Sequence, residues 1–384
     1  MKNMANENQT CQMAICHAEH DRNIPEINLL SPLTIRSVNL RNRIAYPPMC
    51  QYIAKDGFAD DWHLVHLGSR AVGGAGLIFV EATAVTAQGR ISPGDLGVWS
   101  DDHIAPLARI AAFIQRMGSV PAIQLAHAGR KGSCLQPWNN RGEFMLLEEG
   151  GWPLMAPSAI PFHAGDQPPK EMDKVEIKEV IDAFIAAAQR SIKAGFKIIE
   201  VHSAHGYLLH SFLSPLSNHR KDEYGGSLQN RMRLLIELVK ELRKTIPETM
   251  PLFVRISATD WVEGGWDIEQ SIALAHALKP LGVDLIDVSS GGMVPHAKIP
   301  VKPGYQVPFS TRIREECAIK TGAVGLITEA NQANDIIMSG AADLTFIGRQ
   351  MMRDPYFGLH VEHALDYKQS WPISYGYAVQ PQRS

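Results

Sequence analysis

No stretch of this 384-residue chain approaches the ~18 consecutive apolar residues that a membrane-spanning helix requires. A cationic start followed by an apolar signal core is missing as well, since Met13-Ala14-Ile15-Cys16 is too short. Glu7, Glu19 and Asp21 argue against an organellar transit peptide, so the cytoplasm is the expected location. Nor is there an excess of one charge. Lys+Arg 37 against Asp+Glu 40 gives −3, which offers no basic field for nucleic acid or an anionic membrane surface. Cysteine is scarce: Cys11, Cys16, Cys50, Cys134 and Cys317 are too scattered for a disulfide framework or an iron–sulfur motif. Cys11 and Cys16 with His17 and His20 are too loosely spaced for a metal knuckle, and residues 1–26 read as a disordered extension. No Gly-x-Gly-x-x-Gly follows the first strand candidate, which argues against a doubly wound dinucleotide fold.

What the chain does hold is a repeating unit of short apolar run, turn and amphipathic helix from Ile27 onward. The runs are 44–46, 77–80, 122–125, 198–201, 252–256, 285–288, 324–327 and 344–347. Most are continuous rather than alternating, as strands covered on both faces of a parallel sheet should be. Helical patterns lie between them, at 63–72, 101–117, 176–194, 227–244, 267–281, 310–320, 329–339 and 355–365. Eight such units in order predict a (β/α)8 TIM barrel over residues 27–366, with 367–384 as a C-terminal tail. Residues 132–170, rich in Gly, Pro and Trp, are expected to form a hairpin or lid over the mouth after strand three. Residues 208–226 extend the loop after strand four.

In a barrel, catalytic groups belong at the C-terminal ends of strands. The fourth such end is Glu200-Val201-His202-Ser203-Ala204-His205-Gly206-Tyr207. Residues three apart on a continuing strand point to opposite faces, so His202 and His205 converge only if the chain turns, which Gly206 allows. Two neutral imidazoles can donate to a substrate oxygen, and a phenol beside them can deliver a proton. The pair could equally be structural, or could bind a metal, although no third ligand is singled out. Glycine-rich turns after strands six, seven and eight, together with Arg349, match a barrel phosphate site, though the same glycines would also close tight turns. Arg255, inside an apolar strand, needs an acceptor partner, and Gln124 can both donate to and accept from the edge of a heterocycle. Together these suggest a phosphorylated planar cofactor.

The motifs Leu40-Arg41-Asn42-Arg43-Ile44, Pro48-Met49-Cys50-Gln51-Tyr52, Gln124-Leu125-Ala126-His127-Ala128-Gly129-Arg130-Lys131, His202-Ser203-Ala204-His205-Gly206-Tyr207, Phe212-Leu213-Ser214-Pro215, Asp222-Glu223-Tyr224-Gly225-Gly226-Ser227, Gly348-Arg349 and Arg353-Asp354-Pro355 occur in order. On these, from about Leu29 to Tyr375, the chain resembles the old yellow enzyme family, in the bacterial subclass called thermophilic-like or xenobiotic-reductase-like. The resemblance implies an FMN-dependent ene-reductase that uses NADPH or NADH to reduce activated alkenes, α,β-unsaturated carbonyl or nitro compounds, by a ping-pong cycle. It implies backbone from Pro48, Met49 and Cys50 beside the flavin ring, with Ala82 near it. Gln124 would lie at the pyrimidine edge and Arg255 by N1 and O2, with Ser290, Gly325, Gly348 and Arg349 around the ribityl and phosphate groups. His202 and His205 would hold the substrate oxygen, Tyr207 would protonate the α-carbon, Cys50 would tune the flavin and Tyr52 would line the substrate pocket. No metal is implied. A homodimer or homotetramer is expected, with the tail at a subunit interface. Tyr377 stands where several relatives carry an arginine or tryptophan that enters a neighbouring site.

Overall fold

Eight short runs pair side by side, all parallel, into a closed barrel in this computed structural model, which describes residues 27–367 and 370–379. The strands are β1 (Ile44–Tyr46), β2 (Leu77–Ala84), β3 (Val120–Ala126), β4 (Ile198–Ser203), β5 (Leu252–Ser257), β6 (Leu285–Ser289), β7 (Lys320–Ala323) and β8 (Leu344–Phe346). Each pairs with its sequence neighbour, and β8 closes on β1 through Thr345 opposite Ile44. The expected extension at residues 1–26, with Cys11, Cys16, His17 and His20, lies outside the described residues. So do 368–369 and 380–384 of the expected tail.

Helices follow the strands: α1 (Asp61–Val72), α2 (Ile104–Arg116), α3 (Lys174–Lys193), α4 (Leu208–Leu213), α5 (Leu228–Thr245), α6 (Ile268–Leu278), α7 (Val307–Cys317), α8 (Ala330–Met338), α9 (Arg349–Arg353) and α10 (Phe357–Ala364). Their starts are written in capping residues. Asp60 accepts from the Trp62 amide, Asp173 from those of Val175 and Glu176, and Ser227 from that of Asn230. Such a cap is typically worth about 1 kcal/mol relative to alanine. Their apolar stripes, Val180 and Phe184 on α3 or Leu234, Leu235 and Leu238 on α5, are buried against the outside of the barrel.

Inside the barrel, every second residue points inward. The lowest inward positions, among them Leu77, Phe79, Ala122, Ile198, Phe253, Leu285 and Phe346, form an apolar cluster separate from the outer one. Phe79 lies with its ring centroid 5.9 Å from Phe346 and 6.3 Å from Phe253. Below this floor the sequence reading contained no element. The structure places there an antiparallel hairpin, Leu33–Ile35 with Val38–Leu40, whose Leu33, Ile35 and Leu40 join the same cluster and plug the barrel.

The seventh strand is a correction. The apolar run at 324–327 reads as a strand, but the barrel uses Lys320–Ala323 and leaves 324–327 as a loop. Gly325 at φ +124° and Leu326 at φ +50° cannot continue an extended strand. Gly322 is chosen by packing, because a Cβ there would lie 2.1 Å from the Phe346 ring. Helix seven likewise ends at Cys317 rather than 320, since Lys320 already belongs to β7. The extended loop after strand four contains a helix of its own, α4. The 132–170 insertion folds over the mouth with Cys134 bridged to Phe144 and with Met155–Ala156 paired to Lys170–Glu171.

Candidate active site

The turn required after β4 is present. His205 at φ +58° and Gly206 at φ +77° reverse the chain, and a Cβ on Gly206 would lie 2.2 Å from the Gly292 carbonyl oxygen. The Ser257 hydroxyl accepts from the His205 amide at 2.9 Å, and His210 Nδ1 accepts from the Gly206 amide at 2.9 Å. Lys131 ties the turn down from the lid side, donating to the carbonyls of His205 at 2.8 Å and Gly292 at 3.0 Å. The result brings three predicted groups together. The His202 ring lies 5.2 Å from that of His205 and 5.1 Å from that of Tyr207, each edge to face.

Burial, with the Arg255 cation nearby, holds both imidazoles well below the usual histidine range, so they are neutral. His202 Nδ1 accepts from the Ala204 amide at 3.3 Å, which leaves the proton on Nε2 as a donor. His205 differs from its partner: its Nε2 meets the Ser289 hydroxyl at 2.7 Å. Burial, then Cys50 and Asp95, pushes the Tyr207 phenol well above its ordinary value, so it stays protonated.

Tyr207 stands between two spaces. On one side is a cleft of about 710 Å3, lined by Tyr52, Lys131, Phe162 and the insertion residues Leu135, Phe144 and Leu146. On the other is a small cavity lined by Ala82, Asp95, Ala126 and His202. Tyr52 holds φ +56°, and its hydroxyl lies within hydrogen-bonding reach of the Cys50 sulfur. Burial and the carboxylates of Glu81 and Asp95 push the Cys50 thiol up, so at neutral pH it is a thiol rather than a thiolate. Trp138 of the insertion meets Tyr52 edge to face at 6.3 Å.

A further cavity of about 240 Å3 lies across the ends of β6, β7 and β8, lined by Met49, Arg255, Ser289, Gly325, Gly348 and Arg349. Among the described residues, the amides of Val324, Gly325, Leu326, Gly348 and Arg349 have no protein acceptor. A Cβ on Gly325 would sit 2.9 Å from Gln306 Nε2, and one on Gly348 would sit 3.2 Å from Met49 Sδ. Free backbone donors, an exposed guanidinium and walls too close for side chains fit the phosphate end of FMN. Arg255 on the same wall fits its electron-rich edge.

Of the other predicted cofactor residues, Pro48 is buried, with its neighbours Pro47 and Met49 lining this wall, and Ala82 faces the small cavity with His202. Gln124 lies in the barrel interior, donating from Nε2 to Glu200 Oε1 at 2.8 Å. Ser290 donates to Oε1 of Gln306 at 2.6 Å, and Gln306 and Ser289 line the cavity wall. Ser257 and Ser289 stand at the strand ends that the sequence reading found but received no role there, and Gln306 was missed. The two serines could have been given one by counting two residues on from Arg255 and Asp287, the step that keeps a side chain on the inward face. Gln306 carries no local signal. Tyr377 is 87% exposed.

The comparisons with known proteins agree with this geometry. Residues 28–368 match the NADH:flavin oxidoreductase / NADH oxidase family. An NADPH dehydrogenase of Geobacillus sp. (strain WCH70) is 49% identical over 90% of this chain and 99% of its own. The NADPH dehydrogenase of Bacillus subtilis (strain 168) is 47% identical over 90% of this chain and 98% of its own. Among solved structures, morphinone reductase in complex with tetrahydroNAD superposes with a TM-score of 0.72 at 26% identity, over 90% of this chain and 93% of that one. A 2-naphthoyl-CoA reductase gives 0.80 at 26% identity over 88% of this chain, which spans only 52% of that longer protein. A family match over nearly all the described residues, on a closed parallel barrel with a glycine-lined cavity at the ends of β7 and β8, makes this chain a member of the NADH:flavin oxidoreductase / NADH oxidase family, the old yellow enzymes: an NAD(P)H-dependent oxidoreductase with FMN as its cofactor.

Proposed function

We propose that this flavoenzyme is an ene-reductase, acting on the C=C bond of α,β-unsaturated carbonyl or nitro compounds in a ping-pong cycle. NAD(P)H and the alkene then use the same cleft in turn. FMN would be held by Gly325, Gly348 and Arg349 together with Arg255, and when bound would supply the hydride chemistry. The observation that carries the reading is Tyr207, a phenol kept protonated by burial, set on the cleft wall 5.1 Å from the ring of His202. His202 Nε2–H is a neutral donor that can polarise a substrate oxygen and make the β-carbon electrophilic. His205 joins it by turning from Ser289. Tyr207 then hands its proton to the α-carbon. Cys50, beside the Tyr52 hydroxyl, would tune the flavin, and Tyr52 would form the cleft wall. Pro48, Met49, Ala82, Gln124 and Ser290 complete the cofactor surroundings in this reading. Residues 27–366 form the catalytic barrel, assembled as a homodimer or homotetramer through contacts that include the tail.

The test separates the two half-reactions. Protein loaded with FMN should be yellow, should be reduced by NADPH or NADH, and should be reoxidised by an enone, a maleimide or a nitroalkene in stopped flow. Tyr207→Phe should leave reduction by nicotinamide within about twofold and slow reoxidation by an enone by ~10²-fold or more, the ordinary contribution of a positioned acid. Equal reoxidation rates would remove Tyr207 as the donor. Failure of every alkene to reoxidise the reduced protein would remove the ene-reductase reading.

A further inference from the structure

The inside of a (β/α)8 barrel is ordinarily filled by layers of bulky apolar side chains. One layer here is not. Two residues up from the apolar floor, four adjacent strands turn inward Gln124 on β3, Glu200 on β4, Arg255 on β5 and Asp287 on β6. Glu200 and Asp287 are 0% exposed. Two residues higher still, the same inward faces carry His202, Ser257 and Ser289 at the mouth. The charged layer therefore lies directly beneath the active site.

Its contacts pair each carboxylate with one cofactor-facing group. Glu200 Oε1 accepts from Gln124 Nε2 at 2.8 Å. Asp287 Oδ2 lies 3.1 Å from Arg255 Nε, an ion pair whose geometry is not that of a hydrogen bond. Glu200 Oε2 has no hydrogen-bond partner among the described residues. One guanidinium thus stands beside Asp287 and acts on Glu200 only through space, in a buried layer where each unpaired charge costs several kcal/mol. Burial raises both carboxyls, Asp287 to about 6, consistent with the layer holding an extra proton. Apolar residues of the same volume would often fill such a layer at equal or better stability. Packing alone does not account for it.

Seen from the cofactor side, the layer sets two properties. An amide whose N–H is committed downward to Glu200 has its carbonyl direction fixed. A guanidinium with a carboxylate behind it presents less positive charge upward than a bare one. We propose that Glu200 and Asp287 are positioning residues of the flavin site, Glu200 fixing the orientation of the Gln124 amide and Asp287 holding and partly offsetting Arg255, so that together they set the cofactor's affinity and reduction potential. This rests on the reading that Gln124 and Arg255 face the flavin.

The test uses FMN-loaded full-length protein, with the midpoint potential measured against a reference dye, FMN affinity by fluorescence titration, and melting of the apoprotein. Asp287→Asn, equal in size, should favour the reduced cofactor by about tenfold, a shift of ~30 mV to more positive potential for a two-electron couple. Glu200→Met, matched in volume, should weaken FMN binding about tenfold. Glu200→Gln, whose carbonyl can still accept from Gln124, should restore most of it. Loss of FMN uptake with apoprotein melting unchanged also supports the proposal. Potential and affinity equal to the parent in both variants would overturn it, and so would a loss of flavin that merely follows a collapsed apoprotein. Gln124→Ala and Arg255→Lys separate the two levels. If these also leave the flavin untouched, the placement of the cofactor fails. If they alter it while the carboxylate variants do not, only the present inference fails.

Discussion

His127 and His202 are both buried histidines near the barrel mouth, and the sequence ranks His202 higher only through His205 and Tyr207 beside it. Position decides. His202 occupies an inward step of β4 and borders the small cavity with Tyr207. His127 lies just past β3, with Nδ1 accepting from the Gly129 amide at 3.0 Å and Gly89 packed against its ring. Burial pulls His127 down to about 4. It is therefore neutral in the fold but takes up a proton near pH 6.5 once unfolded. The stability it contributes is fully present above pH 6.5 and is lost as pH falls towards 4, at about 1.4 kcal/mol per pH unit. His127→Asn keeps an acceptor for Gly129 and removes the titration. Its stability deficit against the parent, measured by urea unfolding, should shrink by about 2 kcal/mol between pH 7 and pH 4.5. Taking the difference between the two proteins cancels the opposite trend from Asp95 and Asp287, both raised to about 6.

Elements follow local signals wherever those signals are strong, and pairing wherever they are weak. Helices α5 and α6 begin one residue after the caps Ser227 and Asp267, where the sequence reading starts them, whereas α1 and α3 begin after Asp60 and Asp173, caps that lie three residues ahead of the expected starts at 63 and 176. Strand β7 is the counter-case. Lys320-Thr321-Gly322-Ala323 has poor strand propensity and is selected because Leu285 to Val288 of β6 are waiting for partners in register. Gly322 makes this possible by giving room to Phe346 of the neighbouring strand. Gly322→Ala should cost about 1–3 kcal/mol through overpacking, read as a lower melting temperature. Phe346→Leu in the same chain should recover part of that loss, because the clash is with the ring. An additive loss in the double variant would show that the close approach is not what selects glycine there.

Over the whole molecule, the barrel divides into a plugged apolar floor, a charged middle layer and a mouth that carries the chemistry. The 132–170 insertion belongs to the mouth alone. Its outer hairpin, spanned by the Cys134–Phe144 bridge, touches the core little and places Trp138 on Tyr52. Replacing residues 136–142 with a two-residue turn should therefore leave FMN uptake and melting temperature close to the parent. The KM for a cyclic enone should rise about tenfold, equivalent to ~1.4 kcal/mol of lost contact. A fall in FMN affinity instead would tie the hairpin to the cofactor. The sequence by itself determined the barrel class, the caps of α5 and α6, the glycine-rich loops after the last strands and the His202–His205–Tyr207 turn, because each depends on residue type and spacing within one unit. Only the tertiary structure decided that β7 precedes the apolar run at 324–327, that Ser289 rather than Ser290 lines the cavity, and that Glu200 and Asp287 stand beneath Gln124 and Arg255. Those outcomes depend on which face of a strand turns inward and on what the next strand offers, and closing the barrel is what fixes both.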